Sequence, residues 1–292
     1  MGRCVAVFAA FLTAISLAVA PAAPADPEIA PVGSVSPFDG PAPAWIVADV
    51  TSGQVLAGRD IDVVHPPAST IKTLLALVAL DELPGLDATV VATEADTEVE
   101  CSCAGVEPGR TYTARQLLDA MLLMSGNDAA NTLASLVGGH DAAVAKMNAK
   151  AASLGAVHTF APSPSGLDGP NGPGATTPRD LAIVFATAIA NPTFAQIIAQ
   201  PSAMFPTKAG EQPLFNDDQL LGRYPGTLGG KTGFTDAARK TFVAAAERGG
   251  RRLVVAMMYG LVKEGGPTYW DQATGLLDWG FAQNPNTGIG PL

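Results

Sequence analysis

The stretch "PPASTIKTLLALVAL", residues 66–80, places one serine and one lysine, Ser69 and Lys72, at the head of an otherwise apolar run. Pro66 and Pro67 cannot sit inside a helix, so a helix is predicted to begin near Ser69, to run over 70–82 and to stop before Pro84-Gly85. It is apolar on nearly every face, which predicts burial in a large core. Positions i and i+3 share a helix face, so Lys72 stands one turn inside with its amine near the Ser69 hydroxyl. In apolar surroundings a lysine loses the solvation that favours its charge. A neutral amine then accepts the serine proton, the logic of an activated nucleophile. Unpaired N–H groups at the helix start favour the negative charge that develops there. A plainer reading has Ser69 as a cap and Lys72 snorkelling to water.

Around this helix the chain alternates in a simple way. "AWIVADV", "TSG" and "QVLAGRD" read as strand, turn and strand. The middle is helical: "TARQLLDAMLLM" opens with the capping-box spacing of Thr113 and Gln116, and "TPRDLAIVFATAIA" opens with Thr177 as N-cap and Pro178 at the first helical position. "GTLGGKTGFT", "KTFVAAAE" and "RLVVAMMYG" read as three strands, followed by a closing helix in "TYWDQATGLLDWGFAQ". The expectation is an α+β fold: one antiparallel sheet built from both ends of the chain, flanked by helices, with an adjoining all-helical lobe inserted over about 85–215.

Two further constellations carry chemistry. In "MLLMSGNDAAN", Ser125-Gly126-Asn127 falls between two helices, where one tight turn offers a hydroxyl and an amide; alternatively Asn127 is a simple N-cap. In "GGKTGFTD", Lys231-Thr232-Gly233 lies in a strand, and a glycine there marks a place where something approaches the backbone closely. Such an edge could pair with an extended peptide, and Lys231 could receive a carboxylate. Each short motif recurs by chance; the three in this order do not.

Ser69-Thr70-Ile71-Lys72, Ser125-Gly126-Asn127 and Lys231-Thr232-Gly233 resemble the three motifs of the penicillin-recognising serine enzymes. With the flanking "PPASTIKTL", "LLMSGNDAANTLA", "TTPRDLA" and "YPGTLGGKTGFTDAA", the chain is similar to the low-molecular-mass D-alanyl-D-alanine carboxypeptidases of the S11 type in their actinobacterial form, from about residue 43 to about 283. The resemblance implies a penicillin-binding/β-lactamase-like fold and, as partners, a peptidoglycan stem peptide and β-lactams as covalent inhibitors. It casts Ser69 as nucleophile, Lys72 as base, Ser125 as proton relay, Asn127 as holder of the substrate amide, and Lys231 and Thr232 as binders of the terminal carboxylate beside Gly233. The N–H groups of Ser69 and Phe234 would form the oxyanion hole. It implies no metal and no cofactor. Relatives often continue into a β-rich domain and an amphipathic helix, neither of which is expected from this sequence, and some grip the carboxylate with an arginine, a role for which Arg239, Arg251 and Arg252 are available. A β-lactamase is the first rival, but no glutamate lies between Glu107 and Glu211, and Asp168 is the only acid in the "SGLDG" loop. A DD-endopeptidase and a non-catalytic cell-wall binding module are the others.

Composition fits this reading. The chain has 292 residues, 48% of them apolar, and a formal charge of -10, with no basic patch to suit nucleic acid. Residues 1–25 read as a secretory signal peptide, with Arg3, an apolar stretch from Cys4 to Ala20 and a small-x-small site at Ala23-Pro24-Ala25. A retained anchor is the alternative, so the expected location is the periplasm or cell-wall space, secreted or membrane-associated. Residues 26–42, rich in Pro, Gly and Ser, read as a flexible linker before a domain over 43–292. Cys101 and Cys103 read as a structural disulfide that stiffens a loop, with two free thiols as the alternative. Asp217-Asp218 reads as a solvated loop.

Overall fold

The computed structural model describes residues 27–169, 172–260 and 265–292. The signal-peptide expectation for residues 1–25 lies outside the described residues. Ten strands and eight helices follow one another among them. They begin with β1 (Ala44–Asp49), β2 (Gln54–Arg59), α1 (Lys72–Glu82), β3 (Thr89–Val91), α2 (Glu94–Thr97) and β4 (Thr111–Thr113). The middle holds α3 (Ala114–Leu123), α4 (Asn127–Leu136), α5 (His140–Ser153), α6 (Pro178–Ala190) and α7 (Pro192–Ile198). The rest is β5 (Ser202–Thr207), β6 (Gly210–Phe215), β7 (Thr227–Thr235), β8 (Arg239–Arg248), β9 (Arg251–Gly260), α8 (Tyr269–Ala282) and β10 (Gly290–Pro291).

The main sheet has the order β10-β2-β1-β9-β8-β7, so both ends of the chain do meet in one sheet. Its pairings are antiparallel, with β1 joining β9 through Ile46↔Ala256 and Val47↔Val255. Side chains alternate across a strand, and here both faces are covered. Ala44 and Ile46 of β1, Val243 and Ala245 of β8, and Val254 and Ala256 of β9 enter the larger core with α1, α3, α4 and α6. Trp45, Val47, Phe242, Ala244, Leu253 and Val255 take the opposite face and pack on Ala273, Leu276 and Leu277 of α8. Burial of α1 from Lys72 to Ala79 follows: Leu74, Leu75, Ala76 and Ala79 are all buried, while its last turn, Asp81 and Glu82, reaches the surface.

The helix starts obey their capping residues. Thr113 and Gln116 form the reciprocal capping box, and Thr177 caps α6 with Pro178 in its first turn. The β5–β6 ribbon escapes the sequence reading because Pro206 and Pro213 sit within its strands, and proline ordinarily argues against a strand. In a ribbon of two strands each proline can face away from the partner's hydrogen bonds.

The linker expected over 26–42 is corrected from residue 27 onward: the segment is tied down. Ile29 and Gly58 exchange two backbone hydrogen bonds of 2.8 and 3.0 Å. Trp279 Nε1 donates to the Val35 carbonyl at 2.6 Å. The buried Gln272 accepts from Ala42 N at 2.8 Å and donates to Ala42 O at 3.0 Å. Gln272→Ala strands both Ala42 groups in a closed interior and is expected to cost about 1–3 kcal/mol. Thermal unfolding together with limited proteolysis between residues 27 and 43 checks this, and unchanged melting and protection would refute it.

Candidate active site

Ser69 sits in a single 3-10 turn, Ala68–Ile71, that leads directly into α1. The turn is strained, because Ala68 adopts φ 49°, a left-handed conformation that costs a residue with a Cβ about 1–3 kcal/mol. Its neighbours hold it there. The Pro67 carbonyl accepts from Thr70 Oγ1 at 2.6 Å and from Thr241 Oγ1 of β8 at 2.9 Å. Gly166 lies so close that a Cβ added to it would fall 2.2 Å from the Ala68 carbonyl oxygen.

Lys72 is 0% exposed. Its Nζ lies 2.7 Å from Ser69 Oγ, 2.7 Å from Asn127 Oδ1 and 2.7 Å from the Ser165 carbonyl oxygen. Burial holds its pKa well below the ordinary lysine value, and the positive charge of Lys231 lowers it further, while Asp128 acts in the opposite sense. A neutral amine has two protons and one lone pair. Asn127 Oδ1 and the Ser165 carbonyl can only accept, so they take the two protons. Ser69 alone of the three partners has a proton to give, and the lone pair is left facing it.

Ser125 has φ 66°, a second strained residue at this place, and is 7% exposed. Asn127 opens α4, with Gly126 rather than Asn127 as the cap. The loop before the helix fixes Asn127 through main-chain oxygens: its N–H donates to Ser102 O at 2.6 Å and its Nδ2 donates to Glu100 O at 2.7 Å. Cys101 and Cys103 are joined by a disulfide within that loop. Asp128, buried beside them, accepts from the backbone N–H groups of Ala104, Gly105 and Val106 at 2.8, 2.9 and 2.9 Å.

β7 closes the site from the other side. A Cβ at Gly233 would fall 2.3 Å from Thr241 Oγ1 and 3.0 Å from the Ser69 backbone nitrogen. Glycine is therefore what lets the strand lie against the Ser69 turn. Lys231 is buried and donates to Thr232 O at 2.8 Å. Burial brings its pKa down to about 8 against the opposing pull of Asp217 and Asp218. The solvated-loop reading of that acidic pair fails for Asp218, which is buried, with burial raising its pKa to about 6.

Ser69, Cys101, Ser125, Asn127, Thr232, Gly233 and Phe234 all line one cavity of about 330 Å³. Lys72 and Lys231 stand behind its wall. Glu100, Leu167 and Phe234 are shared with a second cavity of about 640 Å³ that also takes in Ser165 and Asp168. Sequence reasoning passed over Ser165 because it contributes a carbonyl, which any residue type supplies. It passed over Asp128 as well, although a carboxylate one residue after the Ser-x-Asn turn is a visible sign of a loop to be anchored. Among the described residues no group of His, Cys, Asp and Glu is placed to hold a metal.

A serine hydroxyl 2.7 Å from a buried lysine amine whose pKa burial holds down, set against the edge strand of an antiparallel sheet, is the arrangement of a serine hydrolase of the acyl-enzyme type. The family described as D-alanyl-D-alanine carboxypeptidase, peptidase S11, matches residues 32–260, and the chain belongs to it. A D-alanyl-D-alanine carboxypeptidase of Mycobacterium tuberculosis, DacB2, is 69% identical over 268 residues, which is 92% of each chain. A crystal structure of a D-alanyl-D-alanine carboxypeptidase from the same organism superposes with a TM-score of 0.88 at 70% identity, covering 90% of this chain and 100% of that one. Penicillin-binding protein D2 of Listeria monocytogenes in its ampicillin-bound form gives 0.73 at 30% identity, covering 85% and 100%.

Gly233→Ala should push β7 off the Ser69 turn and leave the cores intact. Misplacement of about 1 Å in a reacting group costs roughly 10²-fold in rate, so labelling of Ser69 by benzylpenicillin is expected to slow by that order at an unchanged melting temperature. Labelling at the wild-type rate would show that the close approach is dispensable.

Proposed function

We propose that this chain is a serine DD-carboxypeptidase, which removes the terminal D-alanine from peptidoglycan stem pentapeptides through an acyl-enzyme on Ser69. The observation that carries the reading is the Lys72 amine, fully buried and 2.7 Å from Ser69 Oγ. Ser69 Oγ attacks the carbonyl between the two D-alanines as its proton passes to Lys72 Nζ. The tetrahedral oxyanion is met by the backbone N–H groups of Ser69 and Phe234. Ser125 delivers the proton to the departing amine, the C–N bond breaks, and D-alanine leaves. Water then cleaves the ester and regenerates Ser69. Asn127 spends one amide proton on Glu100 O and keeps the other for the substrate carbonyl. Lys231 and Thr232 serve the carboxylate end, and the larger adjoining cavity takes the rest of the stem peptide. A β-lactam presents the same carbonyl in a ring and acylates Ser69 without losing a leaving group from the site.

The disulfide between Cys101 and Cys103 stiffens the loop that presents two carbonyls to Asn127. The substrate lies in the cell-wall space, so the chain is exported, with residues 1–25 as its leader. Asp168 lines the adjoining cavity rather than the one that holds Ser69, which disfavours it as the deacylating base of a β-lactamase.

Mass spectrometry after penicillin treatment should give one covalent adduct on the wild type, at Ser69, and none on Ser69→Ala. An adduct on another residue overturns the assignment. Sustained hydrolysis of a chromogenic cephalosporin would point to a β-lactamase instead. Release of D-alanine from a free pentapeptide, compared with cleavage of a cross-linked dimer, separates carboxypeptidase from endopeptidase.

The rate should also depend on pH at both ends. Lys72 must be neutral, so acylation falls as pH drops through its lowered pKa. Lys231 must be charged, so KM rises as pH climbs past about 8. Lys231→Arg keeps its charge throughout and is expected to remove the alkaline limb while leaving the acid limb in place. A pH profile of kcat/KM with the same alkaline limb in the variant would detach that limb from Lys231.

A further inference from the structure

The proposed chemistry depends on Asn127, and Asn127 depends on a short piece of chain that carries a disulfide. The loop between α2 and β4 crosses the Ser125-Gly126-Asn127 turn from outside. Glu100 O accepts from Asn127 Nδ2 at 2.7 Å, Ser102 O accepts from Asn127 N at 2.6 Å, and Ser102 Oγ donates to Met124 O at 3.2 Å. All three bonds come from residues 100–102. Cys101 lies between the two carbonyls and is bonded to Cys103, so the cross-link closes over Ser102 alone. A cross-link this short leaves the enclosed backbone few conformations. It sets the bend that aims both oxygens at Asn127.

Two features set this bond apart from a buried staple. Cys101 is exposed and lines the same cavity as Ser69, Ser125 and Asn127, and Cys103 is half-buried. An exposed disulfide is open to attack by a thiolate, whereas burial shields one. The rest of the loop is also anchored without it. The Asp128 carboxylate accepts from the N–H groups of Ala104, Gly105 and Val106, and Tyr112 Oη accepts from Glu107 N at 2.9 Å. Opening the bond therefore frees residues 100–103 and leaves 104–107 and the start of α4 in place. Its effect falls on Asn127, which is buried and holds Lys72 Nζ through Oδ1 at 2.7 Å. When the Glu100 and Ser102 carbonyls drift, the amide turns to find other partners. Lys72 then loses one of its two acceptors, and its lone pair is no longer held on Ser69.

We propose that the Cys101–Cys103 disulfide is a site of reversible exchange with a dithiol, and that its reduction slows acylation of Ser69 without unfolding the domain. The proposal rests on the carboxypeptidase reading, which gives Ser69, Lys72 and Asn127 their roles. One thiolate of the dithiol attacks the exposed Cys101 sulfur. The S–S bond breaks, a mixed disulfide forms, and Cys103 leaves as a thiolate that takes up a proton. The second thiol of the dithiol then displaces Cys101, which is protonated in turn. The dithiol ends as its own disulfide, oxidised by two electrons, and the enzyme gains two electrons and two protons as a pair of thiols. The reverse exchange, with an oxidised dithiol, closes the loop and restores the site.

The test measures acylation by benzylpenicillin and release of D-alanine from a pentapeptide, before and after treatment of the full chain with dithiothreitol. The reagent is removed before the assay, and a thiol count should show two more per chain than in the oxidised form. Both rates should fall about 10- to 100-fold, the range expected when a reacting group is misplaced by about 1 Å. The melting temperature should move by only about 2–4 °C. Reoxidation should restore both rates. A chain carrying Cys101→Ser and Cys103→Ser should show the lower rates from the outset and ignore dithiothreitol. A reduced enzyme with its two extra thiols that reacts at the oxidised rate overturns the proposal and leaves the carboxypeptidase reading intact. So does a collapse of the melting temperature on reduction, which would make the bond a support of the whole domain. Oxidised enzyme that neither takes up benzylpenicillin nor releases D-alanine would sink the parent reading, and this proposal with it.

Discussion

The structure turns on the burial of one amine. A charged ammonium in a closed interior is costly, and an amine with no oxygen partners would be costly too. In its neutral form Lys72 escapes both penalties by giving its two protons to Asn127 and to the Ser165 carbonyl, which leaves its lone pair for Ser69. Each partner comes from a different part of the chain: the turn before α1, the start of α4 and the loop before α6. Satisfying the amine therefore requires that these three segments meet. Under the proposed mechanism the same requirement makes the serine reactive, so the condition for folding and the condition for chemistry coincide at one nitrogen.

The meeting is enforced from outside the site by close backbone approach. Gly233 brings β7 against the Ser69 turn, and Gly166 brings the Ser165 loop against Ala68. Two non-glycine residues, Ala68 and Ser125, are held at positive φ on either side of the lysine. Such conformations persist only where the surroundings over-determine them. Here the sheet, α1 and the anchored 100–106 loop do so, and the strain lies in the two turns that aim the hydroxyls. Lys231 adds to the effect at a distance, because its positive charge makes a second charge on Lys72 less favourable.

Much of this was readable from residue types. The apolar runs in "AWIVAD" and "RLVVAMM" marked strands, and the Thr113 and Thr177 caps marked where helices begin. The three motifs stood out because their side chains are the chemistry. What escaped has a common cause. Ser165, Glu100 and Ser102 act through carbonyl oxygens, which carry no residue-specific signal. Ile29, Val35 and Ala42 are held through their backbone, so a Pro-rich segment that looked like a free linker is bound to the domain. The β5–β6 ribbon contains prolines that a sheet interior would refuse. Asp218 looked like a surface acid because adjacent acids usually are, and only the fold buries it beside Lys231.

This division has a consequence for how the site can vary. The Ser69 centre joins the side chains of Lys72, Ser69 and Asn127 to main-chain acceptors at Ser165, Glu100 and Ser102. Another part of the cavity wall is built differently. Asp217, Lys240 and Tyr269 contribute side chains to the lining, and changing any one alters the local charge or the room available. Reactivity thus depends on the buried amine and the segments that meet at it, whereas this part of the lining is made of side chains on β8, at the start of α8 and on the loop before β7. None of these three side chains takes part in satisfying the buried amine, whose partners are Ser69, Asn127 and the Ser165 carbonyl.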